Sequence, residues 1–127
     1  MKKLFLFLFL IPFISNAQEV FEIPKDTLIK QVKASGWEYK ERVDTLEYRQ
    51  GVNINQVVFY KGQVVKLDIH EPALLIDKRK GFYDEYFTII SEFEWSHWYK
   101  GIKYRYRLFT YKETGDFKTE ITVWKRH

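Results

Sequence analysis

The chain has no cysteine, one methionine and three prolines in 127 residues. Without cysteine there is no disulfide framework, no all-cysteine zinc site, no cysteine nucleophile and no lipid anchor on cysteine. A small domain of this kind must find its stability in an apolar core. Glycine-rich phosphate loops, zinc-hydrolase motifs and calcium loops are also missing. Serine occurs only at Ser15, Ser35, Ser91 and Ser96, none of them in a nucleophile elbow. A paired-carboxylate site has little support, because a helix expected over residues 82–92 separates Glu92 from Glu94. The expectation is a single non-enzymatic domain with no cofactor and no resident metal.

No apolar run is long enough to span a bilayer as a helix. The longest, Leu4 to Ile14, is broken by Pro12 and falls well short of the roughly 18 to 20 residues required. It does fit the apolar centre of a secretory leader. Lys2 and Lys3 precede it, and Ser15-Asn16-Ala17 supplies small and polar residues before Gln18. Residues 1–17 are therefore read as a signal peptide cut after Ala17, leaving a domain of residues 18–127. The leader resembles those of exported proteins of Bacteroidetes-type Gram-negative bacteria, which implies a periplasmic or extracellular location. Loss of Lys2 and Lys3 lowers the formal charge from +4 to +2. That small excess and the export signal argue against a nucleic-acid partner, and Lys78-Arg79-Lys80 reads as a solvated loop.

Along residues 18–127, Gln18 to Pro24 reads as a lead-in with an edge strand through Val20, Phe21 and Ile23. A helix capped by Asp26 runs to Ser35, with Leu28, Ile29 and Val32 as its apolar stripe and Gly36 ending it. Period-two alternation follows in Trp37 and Tyr39, then in Leu46 and Tyr48. Gln56–Tyr60 and Gln63–Ile69 form a hairpin about Lys61-Gly62, and Pro72 lies just beyond it. Ala73 to Ile76 has no clear type. Asp77–Gly81 reads as a charged loop and the best internal boundary. Phe82, Tyr86, Phe87 and Ile90 recur at helical spacing, with Asp84 and Glu85 near the helix start. Three strands then run over residues 93–99, 102–108 and 117–124, with turns at Lys100-Gly101 and Thr114-Gly115-Asp116.

Both halves share one order of elements, a helix followed by antiparallel strands, over residues 25–71 and 82–127. The fold class is α+β, a possible duplication of this unit, with both helices covering one sheet face. The tandem layout loosely resembles small bacterial protease- or lactamase-inhibitor modules of repeated helix-and-sheet type. A small lipocalin-like β-barrel carrying an amphiphile is the rival, and it requires residues 82–92 to be strand.

Two patterns invite a functional reading. Asp68 and His70 share a strand face and offer a carboxylate–imidazole pair, though two ligands are thin support for a metal. His97 reads as packing. The aromatics supply the stronger lead: residues 18–80 hold six, and residues 81–127 hold fourteen. On the last strands, Ile102, Tyr104, Tyr106, Leu108, Phe117, Ile121 and Val123 suffice for a core. The opposite face still carries Lys103, Arg105, Arg107, Phe109, Tyr111, Lys118, Glu120 and Trp124, with Trp98 alongside. Rings beside cations stack on planar ligands, sugars or protein surfaces, or simply pair across strands. The expected site is Trp98, Lys103, Arg105, Arg107, Lys118 and Trp124. The expected role is an exported binding or inhibitory module for a protein or an anionic glycan, with a structural role in the envelope as the plainer alternative.

Overall fold

The computed structural model describes residues 13–126. The basic part of the expected leader, and its apolar part as far as Pro12, lie outside the described residues. Helix α1 (Phe13–Val20) runs across the expected cut, with Ala17 and Gln18 buried and the Gln18 amide donating to the Tyr106 hydroxyl at 2.5 Å. The expected edge strand over Val20–Ile23 is instead the end of this helix and a turn. Phe21, Glu22 and Ile23 donate back to the carbonyls of Gln18, Glu19 and Val20. The apolar side chains that read as a strand still face the core: Phe21 meets Tyr104 edge-on at 5.1 Å between ring centroids.

Helix α2 (Lys25–Ser35) buries Leu28, Ile29 and Val32 and ends at Gly36, whose φ of 81° is the left-handed conformation glycine adopts cheaply. Each of those aliphatic side chains contributes about 1.5–3 kcal/mol of burial. Asp26 does not cap the helix. Pro24 holds the capping position, its fixed φ suiting the entry to a helix, and Asp26 lies in the first turn, where the helix dipole favours it.

Eight strands follow: β1 (Tyr39–Glu41), β2 (Thr45–Gln50), β3 (Asn53–Tyr60), β4 (Gln63–Glu71), β5 (Thr88–Ser91), β6 (Glu94–Tyr99), β7 (Ile102–Thr110) and β8 (Phe117–Arg126). A 3₁₀ turn (Ala73–Leu75) and helix α3 (Ile76–Tyr86) separate β4 from β5. The helix expected over 82–92 is thus displaced toward the N-terminus. The charged stretch Asp77–Gly81 is its first half rather than a loop, and Thr88–Ser91 is strand. Apolar residues crowd the last turn of α3, so periodicity alone misplaces its start. Arg79 anchors the polar turns on the Glu71 carboxylate, and β-branched Thr88, Ile89 and Ile90 favour extended backbone beyond Phe87.

All strand pairs are antiparallel, in the order β1-β2-β3-β4-β8-β7-β6-β5. Each half of the chain is a four-strand meander, and the last strands of the two halves meet at the centre, with Leu67 opposite Ile121. β1 and β5 are free edges, so the sheet is open. A lipocalin-like barrel and its hollow interior are therefore excluded; the interior is filled by Tyr83, Trp95, Tyr104, Tyr106 and Phe117, all fully buried. The helices lie on one face. α3 reaches it through Tyr83, whose hydroxyl donates to Thr119 Oγ1 at 2.9 Å and whose ring meets Trp95 and Tyr106. No described helix covers the other face. With strands roughly 4.8 Å apart, that face is about 35 Å wide.

Candidate functional site

Strand alternation sends every second side chain to the open face, and the register aligns these into rows. One row crosses six strands: Glu47, Gln56, Asp68, Glu120, Arg107 and Glu94. All six residues expected to form the site lie on this face, as the alternation requires. The structure divides them into two groups.

The first group is Trp98, Lys103, Arg105 and Trp124. Between Lys103 and Tyr104 the β7–β8 register shifts, with Lys103 opposite Lys125 and Tyr104 opposite Val123. Trp124 is the extra residue of this bulge, a device that re-aims a side chain. Its ring lies under two cations, with Lys103 Nζ 4.5 Å and the Arg105 guanidinium carbon 5.1 Å from the ring centroid. Lys103 Nζ is also 6.0 Å from the Trp98 ring. Both tryptophans keep over two-fifths of their surface exposed, 41% for Trp98 and 45% for Trp124.

The second group is Arg107 and Lys118, which flank the exposed ring of Phe109 at 5.6 and 5.4 Å. Phe109 belongs to the site although its strand position gave no reason to rank it above its neighbours. The acidic partners were the larger omission. Arg105 is held by Glu94, with Nε at 2.9 Å and Nη2 at 2.8 Å from the same oxygen. Arg107 Nη2 donates to Glu120 Oε1 at 2.6 Å, and this carboxylate raises the guanidinium pKa further. Asp68 Oδ2 sits between Lys66 and Lys118 at 3.5 and 3.7 Å. Glu94 and Asp68 stand on other strands, so only the register could reveal them. The cations are thus part of a neutralised lattice rather than a bare basic patch.

Asp68 and His70 share the open face as expected, but they do not pair. His70 belongs to a hydrogen-bonded line. Gln56 Nε2 donates to Glu47 Oε1 at 2.9 Å, which leaves Gln56 Oε1 to accept from His70 Nε2 at 2.8 Å. A neutral His70 then has Nδ1 free to accept from the Tyr111 hydroxyl at 3.3 Å, and the two rings stack 6.1 Å apart. Burial lowers the His70 pKa; Asp68 and Glu47 pull it back up and Lys118 opposes them. The line borders a cleft of about 340 Å³ that Ile54, Val52 and Pro72 share. His97 lies on the opposite, core-side face, against Phe87 at 4.7 Å, where burial lowers its pKa too. Among the described residues no three histidine or carboxylate groups are placed to hold a metal ion, and no helix is long and apolar enough to cross a membrane.

Compared with known proteins, the chain matches no family model, and no curated protein or solved structure resembles it at a significant level.

Proposed function

We propose that this chain is an exported, non-catalytic binding module, and that the open face of its sheet docks a protein partner, an inhibitory target being one form of it. The observation that carries this reading is the exposed Trp98–Lys103–Trp124–Arg105 cluster on a face that no described helix covers. Solvent-exposed tryptophans braced by cations supply large, rigid contact area at little conformational cost. The ion-pair lattice favours protein over anionic glycan. A polyanion would have to displace Glu94 from Arg105 and Glu120 from Arg107, whereas a protein surface carries charges of both signs for such a rim. Export rests on the leader pattern of residues 1–17. The mirrored strand order supports a duplicated unit, each copy contributing half of the face.

The test is a Trp98→Ala/Trp124→Ala double variant, compared with a Tyr39→Ala control on the β1 edge. Crosslinking in a periplasmic or culture extract should identify a partner held by the natural chain and the control and lost by the double variant. Circular dichroism should show all three folded alike. A partner that the double variant retains at full strength places the docking surface elsewhere.

A further inference from the structure

On the helix-covered side of the sheet, away from Trp124, the core is open at one end. There the turn between α1 and α2 crosses the β3–β4 hairpin, tied to it by the Lys25 N–H donating to the Gly62 carbonyl at 3.0 Å. Beneath lies a cleft of about 410 Å³, within the size range of small-molecule sites. Phe21, Ile23, Ile102 and Val123 give it apolar walls. Tyr104 also lines it. That side chain is fully buried, yet its hydroxyl has no hydrogen-bond partner among the described residues. A buried donor left unmatched is costly and is rare in native structures, so it calls for an acceptor.

The charges near this hydroxyl define the acceptor. Arg126 and Lys61 border the cleft, and neither has a carboxylate partner among the described residues. Glu22 borders it too, but Lys100 engages it at 3.4 Å. Burial raises the Tyr104 hydroxyl pKa, Glu22 adds to the rise, and Arg126 and Lys100 oppose it, so the group stays a donor at neutral pH and the two cations outnumber the one carboxylate that acts on it. The cleft therefore joins a buried donor to a net positive charge and to the apolar wall of Phe21, Ile23, Ile102 and Val123, with Gln63 as a further polar border. A single water would satisfy the hydroxyl but not the apolar walls.

We propose that this cleft binds a small apolar carboxylate, its head group accepting from the Tyr104 hydroxyl and facing Arg126, its hydrocarbon tail lying against Phe21, Ile23 and Ile102. The proposal is independent of the sheet-face reading, because Tyr104 and Trp124 point to opposite sides of the sheet.

Octanoate and 1-octanol are suitable probes, titrated by calorimetry with backbone amide shifts locating the contact. Octanoate should bind at millimolar concentration or below and shift amides of residues 21–24, 61–63 and 102–104. Octanol should bind more weakly. Tyr104→Phe should weaken octanoate by roughly tenfold, the value of a hydrogen bond to a charged group, while leaving thermal stability equal or higher, since it removes an unmatched buried polar atom. Arg126→Gln should weaken octanoate and leave octanol unchanged; Trp124→Ala should change neither. The proposal is overturned if octanoate does not bind, if octanol binds as tightly, or if folded Tyr104→Phe retains the natural affinity.

Discussion

Arg79 grips Glu71 through two parallel hydrogen bonds, Nε to Oε1 at 2.8 Å and Nη2 to Oε2 at 2.6 Å. The Glu71 side chain is wholly buried and that of Arg79 nearly so. Burial alone would lower the guanidinium pKa, but the Glu71 carboxylate outweighs it and the net shift is upward. This pair joins the end of β4 to α3, a helix that buries only Tyr83 along its length. Arg79→Ala strands a buried carboxylate and should cost about 3–5 kcal/mol in urea unfolding. Arg79→Met with Glu71→Leu should recover most of that loss. If the single variant unfolds at the natural midpoint, α3 is held by other contacts.

Tyr83 tests the same helix from its apolar side. Its ring packs among Phe87, Trp95 and Tyr106, and its hydroxyl donates to Thr119. Tyr83→Phe should lower stability by about 1–2 kcal/mol, because Thr119 loses a buried partner. Tyr83→Ala should cost about 3–5 kcal/mol by leaving a cavity. Near-ultraviolet circular dichroism should lose intensity only in the second variant, where the aromatic packing itself is broken.

Two glycines predict opposite outcomes from the same substitution. Gly101 follows Lys100 in the β6–β7 turn, with φ of 77° and 51° respectively, the left-handed pair that a two-residue hairpin turn requires. Gly101→Ala should therefore lower stability by about 1–2 kcal/mol, although space is open around it. Gly81 lies in α3 with no atom in the way of a Cβ. Gly81→Ala should raise stability by about 0.5–1 kcal/mol. Thermal unfolding of the two variants side by side would show the opposite signs.

Acid should destabilise the fold in a window set by His70 and His97. Burial lowers both pKa values below the usual 6.5. An imidazole with a depressed folded-state pKa takes up its proton first in the unfolded chain. Stability is then full above the unfolded value and falls as the pH drops below about 6.5, until the folded form is protonated as well. Urea unfolding at about pH 7.5 and pH 5.5 should show the loss. His70→Gln with His97→Phe should flatten it. An equal loss in that variant would assign the effect to other groups.

The lattice on the open face should matter little to stability. The Arg105 side chain keeps 35% of its surface exposed, against 18% for Glu94, so solvent still reaches the pair and screens its attraction. Arg105→Ala should change the unfolding free energy by less than about 1 kcal/mol. A much larger loss would make this cluster a structural brace rather than a surface kept for a partner.

Local patterning already contained much of this arrangement. Leu28, Ile29 and Val32 announced the buried stripe of α2, and Gly36 its end. The alternation from Ile102 to Leu108 and from Phe117 to Val123 separated core from open face correctly, because strand geometry sends neighbours to opposite sides wherever a strand forms. Lys61-Gly62 and Lys100-Gly101 marked their turns for a similarly local reason. The start of α3 was not legible. Its first two turns are charged and owe their docking to Glu71, a residue on another element.

By itself, the sequence determined the α+β class, most strands other than β5, and which side chains of β7 and β8 face away from the core. Those properties depend on each residue and its near neighbours along the chain. Only the tertiary structure decided that the sheet stays open, that β4 meets β8, that Trp124 sits in a bulge beneath Lys103 and Arg105, and that Glu94, Glu120 and Asp68 neutralise the cations. Those outcomes depend on strand order and register, which bring residues far apart in the chain within a few ångströms, and no periodicity along one strand encodes its neighbour.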